Sequence, residues 1–230
     1  MSVRSALCVS LAVLALGGVS TVAQANPISG TFNIDIYQAP TPGALITDPR
    51  EQADNANPLI NSLYLKGSGT YTGAIDFNIP TGGTNSIGAF FASGGGSTSA
   101  GLTPTLGLGL STSSFALTTV FVIAGNAVGV LSGSIYHDDG MSLYNGAGFG
   151  TLVAGSGYPT VEIPTLYTLT SGAWQMIYVE ANGLPANLVF DSTTNFDQTT
   201  PLPAALPLFA TGLGLLGVFG RRRKQKLAAA

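Results

Sequence analysis

The sequence predicts an all-β domain, an antiparallel β-sandwich that is jelly-roll-like, between two helical terminal segments. Three observations predict it. The apolar runs are short, they are separated by Gly, Pro, Asn and Ser, and they show no convincing 3.6-residue period. The 230 residues include 31 glycines and 13 prolines, which supply those breaks, and 45% are hydrophobic. That is enough for one domain with a sizeable core. A fixed-length repeat, which would indicate a propeller or solenoid, is not seen.

Residues 1–25 are typical of a secretory signal peptide. Arg4 supplies the positive start, residues 6–16 form the apolar helix, and Ala23 and Ala25 frame a small-x-small site for signal peptidase. The apolar run is shorter than a membrane span requires. Cys8, the single cysteine, lies in this peptide. The exported chain is therefore predicted to have no disulfide and no thiolate site, so a full core or a bound ion must stabilise it.

The domain itself is predicted to cover residues 26–196. Residues 31–37 alternate, which places Phe32, Ile34 and Ile36 on one face of a strand. Prolines between residues 40 and 58 predict a long loop with one helical turn near residues 51–56. Further strands are predicted at 63–65, 70–79, 87–92, 106–110, 115–124, 127–136, 149–154, 161–169, 174–179 and 188–190, with a glycine-rich loop at 93–101.

One predicted strand, residues 174–179, carries a testable core face. Strict alternation puts Trp174, Met176 and Tyr178 on the same side. We expect that side to be buried.

The charge is distributed unevenly along the chain. Between residues 26 and 200 there are eleven Asp and Glu residues but only Arg50 and Lys66 on the basic side, a formal charge of −9. Nucleic-acid binding needs a basic face, so no nucleic acid is expected as a partner. Metal cations and neutral sugars suit such a polyanionic domain better.

The C-terminus predicts a second targeting device. A proline motif (residues 197–203, with Pro201 and Pro203) precedes an apolar helix (204–220) and a basic tail (221–230). The tail opens with Arg221, Arg222 and Arg223. This order is typical of a helix that spans the membrane with its basic end in the cytoplasm.

The same segment resembles the PEP-CTERM sorting signals of Gram-negative bacteria, in the variant that opens Pro-Leu-Pro-Ala. The glutamate of the commoner Pro-Glu-Pro form is absent. The resemblance implies a membrane-anchored precursor that an exosortase-type enzyme recognises through the prolines and arginines. It also implies removal of the tail and delivery to the cell surface or its exopolysaccharide.

Asp138 and Asp139 form the densest charge cluster of the domain, at the end of a predicted strand and before Gly140. Adjacent carboxylates repel each other, so a folded protein tolerates them in water or around a cation. Calcium is the natural cation, because it takes about six to eight oxygen ligands from carboxylates and carbonyls. Asp and Gly are also favoured in exposed hairpin turns. The residues alone leave both interpretations open.

The stretch Ser-Ile-Tyr-His-Asp-Asp-Gly-Met-Ser-Leu-Tyr (134–144) resembles the aspartate-pair signature of the protective-antigen-type β-sandwich, found in toxins, glycosidases and yeast flocculins. Residues 172–183 resemble its penultimate strand and the acidic loop that follows, and residues 188–190 its closing strand. In the sugar-binding members a cis peptide joins the two aspartates, which hold a calcium ion. The resemblance implies that Asp138 and Asp139 are ligands, with Glu180 or the Asn182 carbonyl completing the site.

Candidates for catalysis are few. His137 is the single histidine, and we predict it to be a surface or supporting residue, since no Gly-x-Ser-x-Gly elbow accompanies it. Glu162 and Glu180 are candidate glycosidase acids, but nothing in the sequence fixes their separation. The sequence therefore predicts an exported, non-catalytic structural or adhesive protein of the extracellular matrix that binds glycan through calcium. An enzyme acting on matrix polysaccharide is the alternative.

Overall fold

A computed structural model describes residues 26–193, which form an antiparallel β-sandwich. This described part contains twelve strands, one α-helix and two 3-10 helices. The helices are α1 (Ile87–Ser93) and the 3-10 segments Pro49–Glu51 and Ala100–Thr105. The strands are β1 (Asn26–Pro27), β2 (Ser29–Pro40), β3 (Leu65–Ala74), β4 (Asp76–Ile79), β5 (Ser97–Thr98), β6 (Leu117–Ala127), β7 (Leu131–Asp138), β8 (Met141–Asn145), β9 (Thr151–Ser156), β10 (Ile163–Leu169), β11 (Gly172–Glu180) and β12 (Ala186–Ser192).

The strands form two sheets. One has five strands in the order β1-β12-β7-β10, with β4 also paired to β12, and the other has seven in the order β5-β3-β2-β6-β11-β8-β9. The pairs are antiparallel, and Asn26 of β1 lies opposite Ser192 of β12. The predicted fold class is confirmed for this part of the chain.

The predicted signal helix, sorting helix and basic tail lie outside the described residues. Within residues 26–193, no helix has the length and apolar character that crossing a membrane requires.

The main core lies between the two sheets. Trp174, Met176 and Tyr178 are buried in it together, which confirms the predicted face of β11. Phe32, Ile34 and Ile36 of β2 lie in the same core. The five-stranded sheet contributes Phe190, whose ring meets that of Trp174 edge-on with centroids 5.4 Å apart. Alternation thus identified the inward faces correctly, because a strand's side chains point to the two faces in turn.

A second, smaller core covers the outer face of the seven-stranded sheet. Val122 and Ile177 of that sheet pack with Ala53 and Leu59, which belong to the long loop of residues 41–64. We call this loop the flap. It is the proline-rich loop that the sequence predicted, although its helical turn lies at Pro49–Glu51 rather than at residues 51–56.

A buried acid anchors the flap. Glu51 Oε2 lies 2.5 Å from Thr118 Oγ1, which lies 2.9 Å from Thr41 Oγ1, which donates to the Phe115 carbonyl. The Thr118 hydroxyl donates to the Glu51 carboxylate. Burial raises the pKa of Glu51 above its usual value, against hydrogen bonds from Thr118 and Thr41 that lower it.

Two predicted strands are wrong. Residues 87–92 form α1 instead, because Ser86 caps the helix by accepting from the Ala89 amide (3.1 Å), and Ile87, Phe90 and Phe91 follow helical spacing into the core. Residues 106–110 form no strand; they follow the second 3-10 helix and pack on the core without ladder pairing.

Other boundaries differ for topological reasons. The predicted strand 70–79 is two strands, since β3 belongs to the seven-stranded sheet and β4 to the other, and the chain changes sheet at Ile75. The predicted strand 63–65 reduces to Leu65, the first residue of β3. The predicted loop 93–101 includes the two-residue strand β5.

Candidate functional site

Two connections between the sheets meet at one end of the sandwich. The first, residues 139–140, leads from β7 in the five-stranded sheet to β8 in the seven-stranded one. The second, residues 181–185, leads back from β11 to β12. Asp139 joins them, because its Oδ2 accepts from the backbone amides of Ala181 (2.8 Å) and Asn182 (3.0 Å).

The aspartate pair is not an exposed hairpin turn. Strands β7 and β8 lie in different sheets, and Asp138 and Asp139 are only 5% and 0% exposed. The turn interpretation of the sequence is therefore wrong. Their shared peptide bond is cis, as the resemblance implied. Gly140 follows the pair. A Cβ atom at this position would lie 2.3 Å from the Gly157 carbonyl oxygen, so only glycine fits there.

Two buried oxygens at this end have no hydrogen-bond partner among the residues that the structure describes. They are Asp139 Oδ1 and Asn187 Oδ1. Asn187, the second residue of β12, lies directly opposite Asp138 on β7, and its Nδ2 donates to Glu162 Oε2 at 2.7 Å. Unsatisfied buried oxygens are uncommon in folded proteins and call for an explanation.

Among residues 26–193 the carboxylates also have no positively charged partner. The ion pair found within residues 26–193 joins Arg50 to Asp48 (2.7 Å), away from the site. Burial raises the pKa of Asp139 to about 7, against backbone hydrogen bonds from Ala181, Asn182 and Thr160 that lower it. Burial and the charge of Glu162 raise the pKa of Asp138 to about 6. Burial thus opposes ionisation of the pair, and protons or a cation would relieve that cost.

Glu180 lies beside the pair but is bonded within the protein. Its Oε1 accepts from Ser111 Oγ (2.8 Å), and its Oε2 accepts from the Tyr178 hydroxyl (2.8 Å), which also donates to the Asp138 carbonyl. Burial and the charge of Asp139 raise the pKa of Glu180 well above its usual value. Both oxygens of this predicted ligand are thus already engaged.

His137 supports the first connection from inside the protein. It is fully buried, so the predicted surface position is wrong, while the supporting role agrees with its contacts. Its Nδ1 lies 2.5 Å from the Asp139 carbonyl and its Nε2 lies 2.8 Å from Thr165 Oγ1. A carbonyl only accepts, so Nδ1 carries the hydrogen. Burial lowers the pKa of His137, which keeps the ring neutral.

The donor set suits calcium better than a transition metal. In the described part of the chain, no three His, Cys, Asp or Glu side chains group as a metal cage. The candidate oxygens are the Asp138 carboxylate and the unpartnered Oδ1 atoms of Asp139 and Asn187, with Asn187 opposite Asp138 in the strand register. Calcium accepts such hard oxygens together with backbone carbonyls and water. The sequence predicted the Asn182 carbonyl as a ligand. The structure shows the backbone amide of Asn182 donating to Asp139 Oδ2.

Sequence reasoning missed Asn187 and did not connect Glu162 with the aspartates. Asn187 immediately precedes the predicted strand 188–190 and is polar at the start of a strand that is otherwise largely apolar. This polar residue at the start of an apolar strand was a signal by which the sequence could have identified Asn187. Its pairing with Asp138 depends on the register of β7 and β12, which the sequence does not reveal.

Comparisons with known proteins give structural similarities alone. No family model matches this chain, and no protein of established function matches it in sequence. The PA14 sugar-binding domain from an RTX adhesin is 19% identical, with a TM-score of 0.47, over 70% of this chain and 87% of that one. The PA14 domain of the MpAFP antifreeze protein is 18% identical, with a TM-score of 0.44, over 77% of this chain and 88% of that one. Similarity at this level does not imply a shared ligand.

Proposed function

We propose that this domain binds a glycan through a calcium ion at the aspartate pair, in an adhesive or structural role outside the cell. The observation that carries the proposal is the pair itself. Two adjacent carboxylates are buried, and within the described part of the chain they have no basic partner, while Asp139 Oδ1 and Asn187 Oδ1 have no hydrogen-bond partner. Burying carboxylates costs free energy unless a counter-charge or a proton compensates. A divalent cation would neutralise both carboxylates and would also give the unpartnered oxygens a partner.

The chain's own residues would hold the ligands in place. The amides of Ala181 and Asn182 fix one oxygen of Asp139 and leave Oδ1 for a cation. His137 and Tyr178 fix the carbonyls of Asp139 and Asp138 from the core side. Calcium, when bound, would supply positive charge and coordination positions for sugar hydroxyls. Rigid outer contacts of this kind favour tight ion binding because the ligands need little reordering.

The contacts favour binding over catalysis. A glycosidase needs two carboxyl groups that flank one bond of its substrate. Glu162 is exposed, whereas Glu180 is fully buried with both oxygens bonded to Ser111 and Tyr178. A sugar that touches Glu162 therefore cannot reach Glu180 without displacing these contacts. The enzyme alternative is the weaker proposal for this reason.

A glycan array, read with calcium and again with chelator, tests the binding proposal. We expect spots that bind in calcium and disappear in chelator, and we expect Asp139→Asn to lose them. Asp76→Asn removes the same charge from an exposed position on β4 and should keep them. Binding that chelator leaves unchanged, or no binding in calcium, would contradict the proposal.

We also propose that residues 1–25 and 197–230 export and sort this domain. The support is the order of charged, apolar and small residues in the first segment and of prolines, apolar run and arginines in the second. Signal peptidase and an exosortase-type enzyme would process the two ends, and a Gram-negative cell surface or its exopolysaccharide would receive the domain.

A further inference from the structure

Glu162 stands at the edge of the proposed calcium site. It lies in the connection just before β10 and is exposed. Asn187 Nδ2 donates to its Oε2 at 2.7 Å, and its Oε1 has no hydrogen-bond partner among the described residues. Its charge also acts on Asp138, since it contributes to the raised pKa of that carboxyl. The Asn187 contact therefore holds an exposed carboxylate beside a buried one.

The balance of charge around this site is negative even with calcium bound. Asp138, Asp139 and Glu162 carry three negative charges when ionised, against two on the ion. The two basic residues of the described part lie elsewhere: Arg50 is paired with Asp48, and Lys66 is on β3, near the far edge of the seven-stranded sheet. A carboxylated ligand would therefore meet a surplus negative charge and no Arg or Lys to receive it.

A neutral sugar meets the opposite situation. Its hydroxyl hydrogens need acceptors once it leaves water, and a carboxylate is an acceptor-only group that forms stronger hydrogen bonds than a neutral oxygen. Glu162 Oε1 is such an acceptor, placed by the Asn187 contact rather than free to turn.

We propose that Glu162 determines specificity at this site, by accepting a hydroxyl of a neutral sugar and by repelling sugars that carry a carboxylate. This inference rests on the proposed calcium-dependent glycan binding and names the class of glycan. Glu162 is not offered as a ligand of the ion.

The test compares matched sugars that differ by one carboxylate: glucose with glucuronate, galactose with galacturonate, and mannose with mannuronate, as immobilised glycosides in calcium. Wild type should favour the neutral members. Glu162→Gln should lower the neutral-to-acidic binding ratio about fivefold, since it removes one charge at a few ångströms in a solvent-exposed setting. Gln at this position can still accept from Asn187 through its amide oxygen. The matched control is Asp76→Asn, which should leave the ratio unchanged.

Calorimetric calcium titration of Glu162→Gln provides a second reading. The variant should still bind calcium with the stoichiometry of wild type. An unchanged sugar ratio with calcium-dependent binding intact would overturn the inference and leave the proposed function standing. Loss of calcium binding in Glu162→Gln would make this residue part of the ion's own site and would also overturn the inference. A wild type that binds none of the sugars in calcium would overturn both.

Discussion

Removing calcium should make the stability of this protein fall as pH rises, and Asp139 is the residue that allows the effect to be calculated. Burial raises its pKa from 3.8 to about 7 in the folded state. A folded carboxyl with a raised pKa holds its proton more tightly than the unfolded one does. Its contribution is therefore fully present below pH 3.8 and is lost as pH rises through about 7.

The size of the loss follows from the two pKa values. Between pH 5 and pH 8 the folded carboxyl gives up its proton at about pH 7, while the unfolded one is already ionised. Each pKa unit corresponds to about 1.4 kcal/mol, so Asp139 should cost about 3 kcal/mol over this interval. Calcium at 100 times its dissociation constant should restore about 2.7 kcal/mol at pH 8. At pH 5 it should restore less, because protons compete for the same oxygens.

Asp139→Asn isolates this residue. The amide can turn so that its oxygen accepts from Ala181 and Asn182, and its NH2 then takes the place of the partnerless Oδ1. The variant should therefore lose the pH-dependent fall that Asp139 causes, and the calcium increment with it. In chelator at pH 8 it should be more stable than wild type.

Urea denaturation at pH 5 and pH 8, each with calcium and with chelator, measures all of these free energies. Asp76→Asn is the control and should follow wild type in every buffer. Two results would refute the reasoning: equal stability of the chelated wild type at the two pH values, or a full calcium increment in Asp139→Asn.

Four further outcomes are expected. Met176→Ala should lower the free energy of unfolding by about 2–5 kcal/mol because it empties part of the main core, whereas Leu166→Ala, at an 80% exposed position, should change it little in the same denaturation experiment. Because burial raises the pKa of Glu51, wild-type stability should fall as pH rises through that pKa, and Glu51→Gln should lack this fall. In urea denaturation the variant should therefore gain stability relative to wild type between pH 5 and pH 8, and an equal difference at the two pH values would contradict the raised pKa. The exported protein should begin at Asn26, and an intact mass that retains the first methionine would contradict the signal peptide. Truncation after Thr200 should release the domain into the medium, and surface retention of the truncated chain would show that the removed segment is not the anchor.

The sequence allowed the fold class and most inward faces to be predicted, because strand alternation is a local property. Trp174, Met176 and Tyr178 needed no knowledge of their neighbours to be placed on one face. Helix α1 was missed because its seven residues are too few to show a clear helical period, and its cap, Ser86, reads equally well as a turn residue.

The candidate site was predictable only in part. Asp138 and Asp139 are adjacent in sequence, so both their resemblance and their charge could be read directly. Asn187 lies opposite Asp138 because of the pairing register of β7 and β12, and Glu162 is hydrogen-bonded to Asn187. Both relations join residues that are far apart in the sequence. The engagement of Glu180 by Ser111 and Tyr178 likewise spans distant parts of the chain, with 69 residues separating Ser111 from Glu180.

The pairing of β1 with β12 has a mechanical consequence. Strand β12 starts at Ala186, one residue before Asn187 faces Asp138, and ends at Ser192, opposite Asn26. At about 3.3 Å per residue, the five steps from Asn187 to Ser192 span roughly 17 Å. Both ends of the described chain thus leave from the pole opposite the aspartates. Tension applied between that pole and a molecule held at the aspartates would run along β12, across its hydrogen bonds to β7 and β4. Because ladder hydrogen bonds lie perpendicular to the strands, those bonds would be loaded together in shear rather than opened one after another.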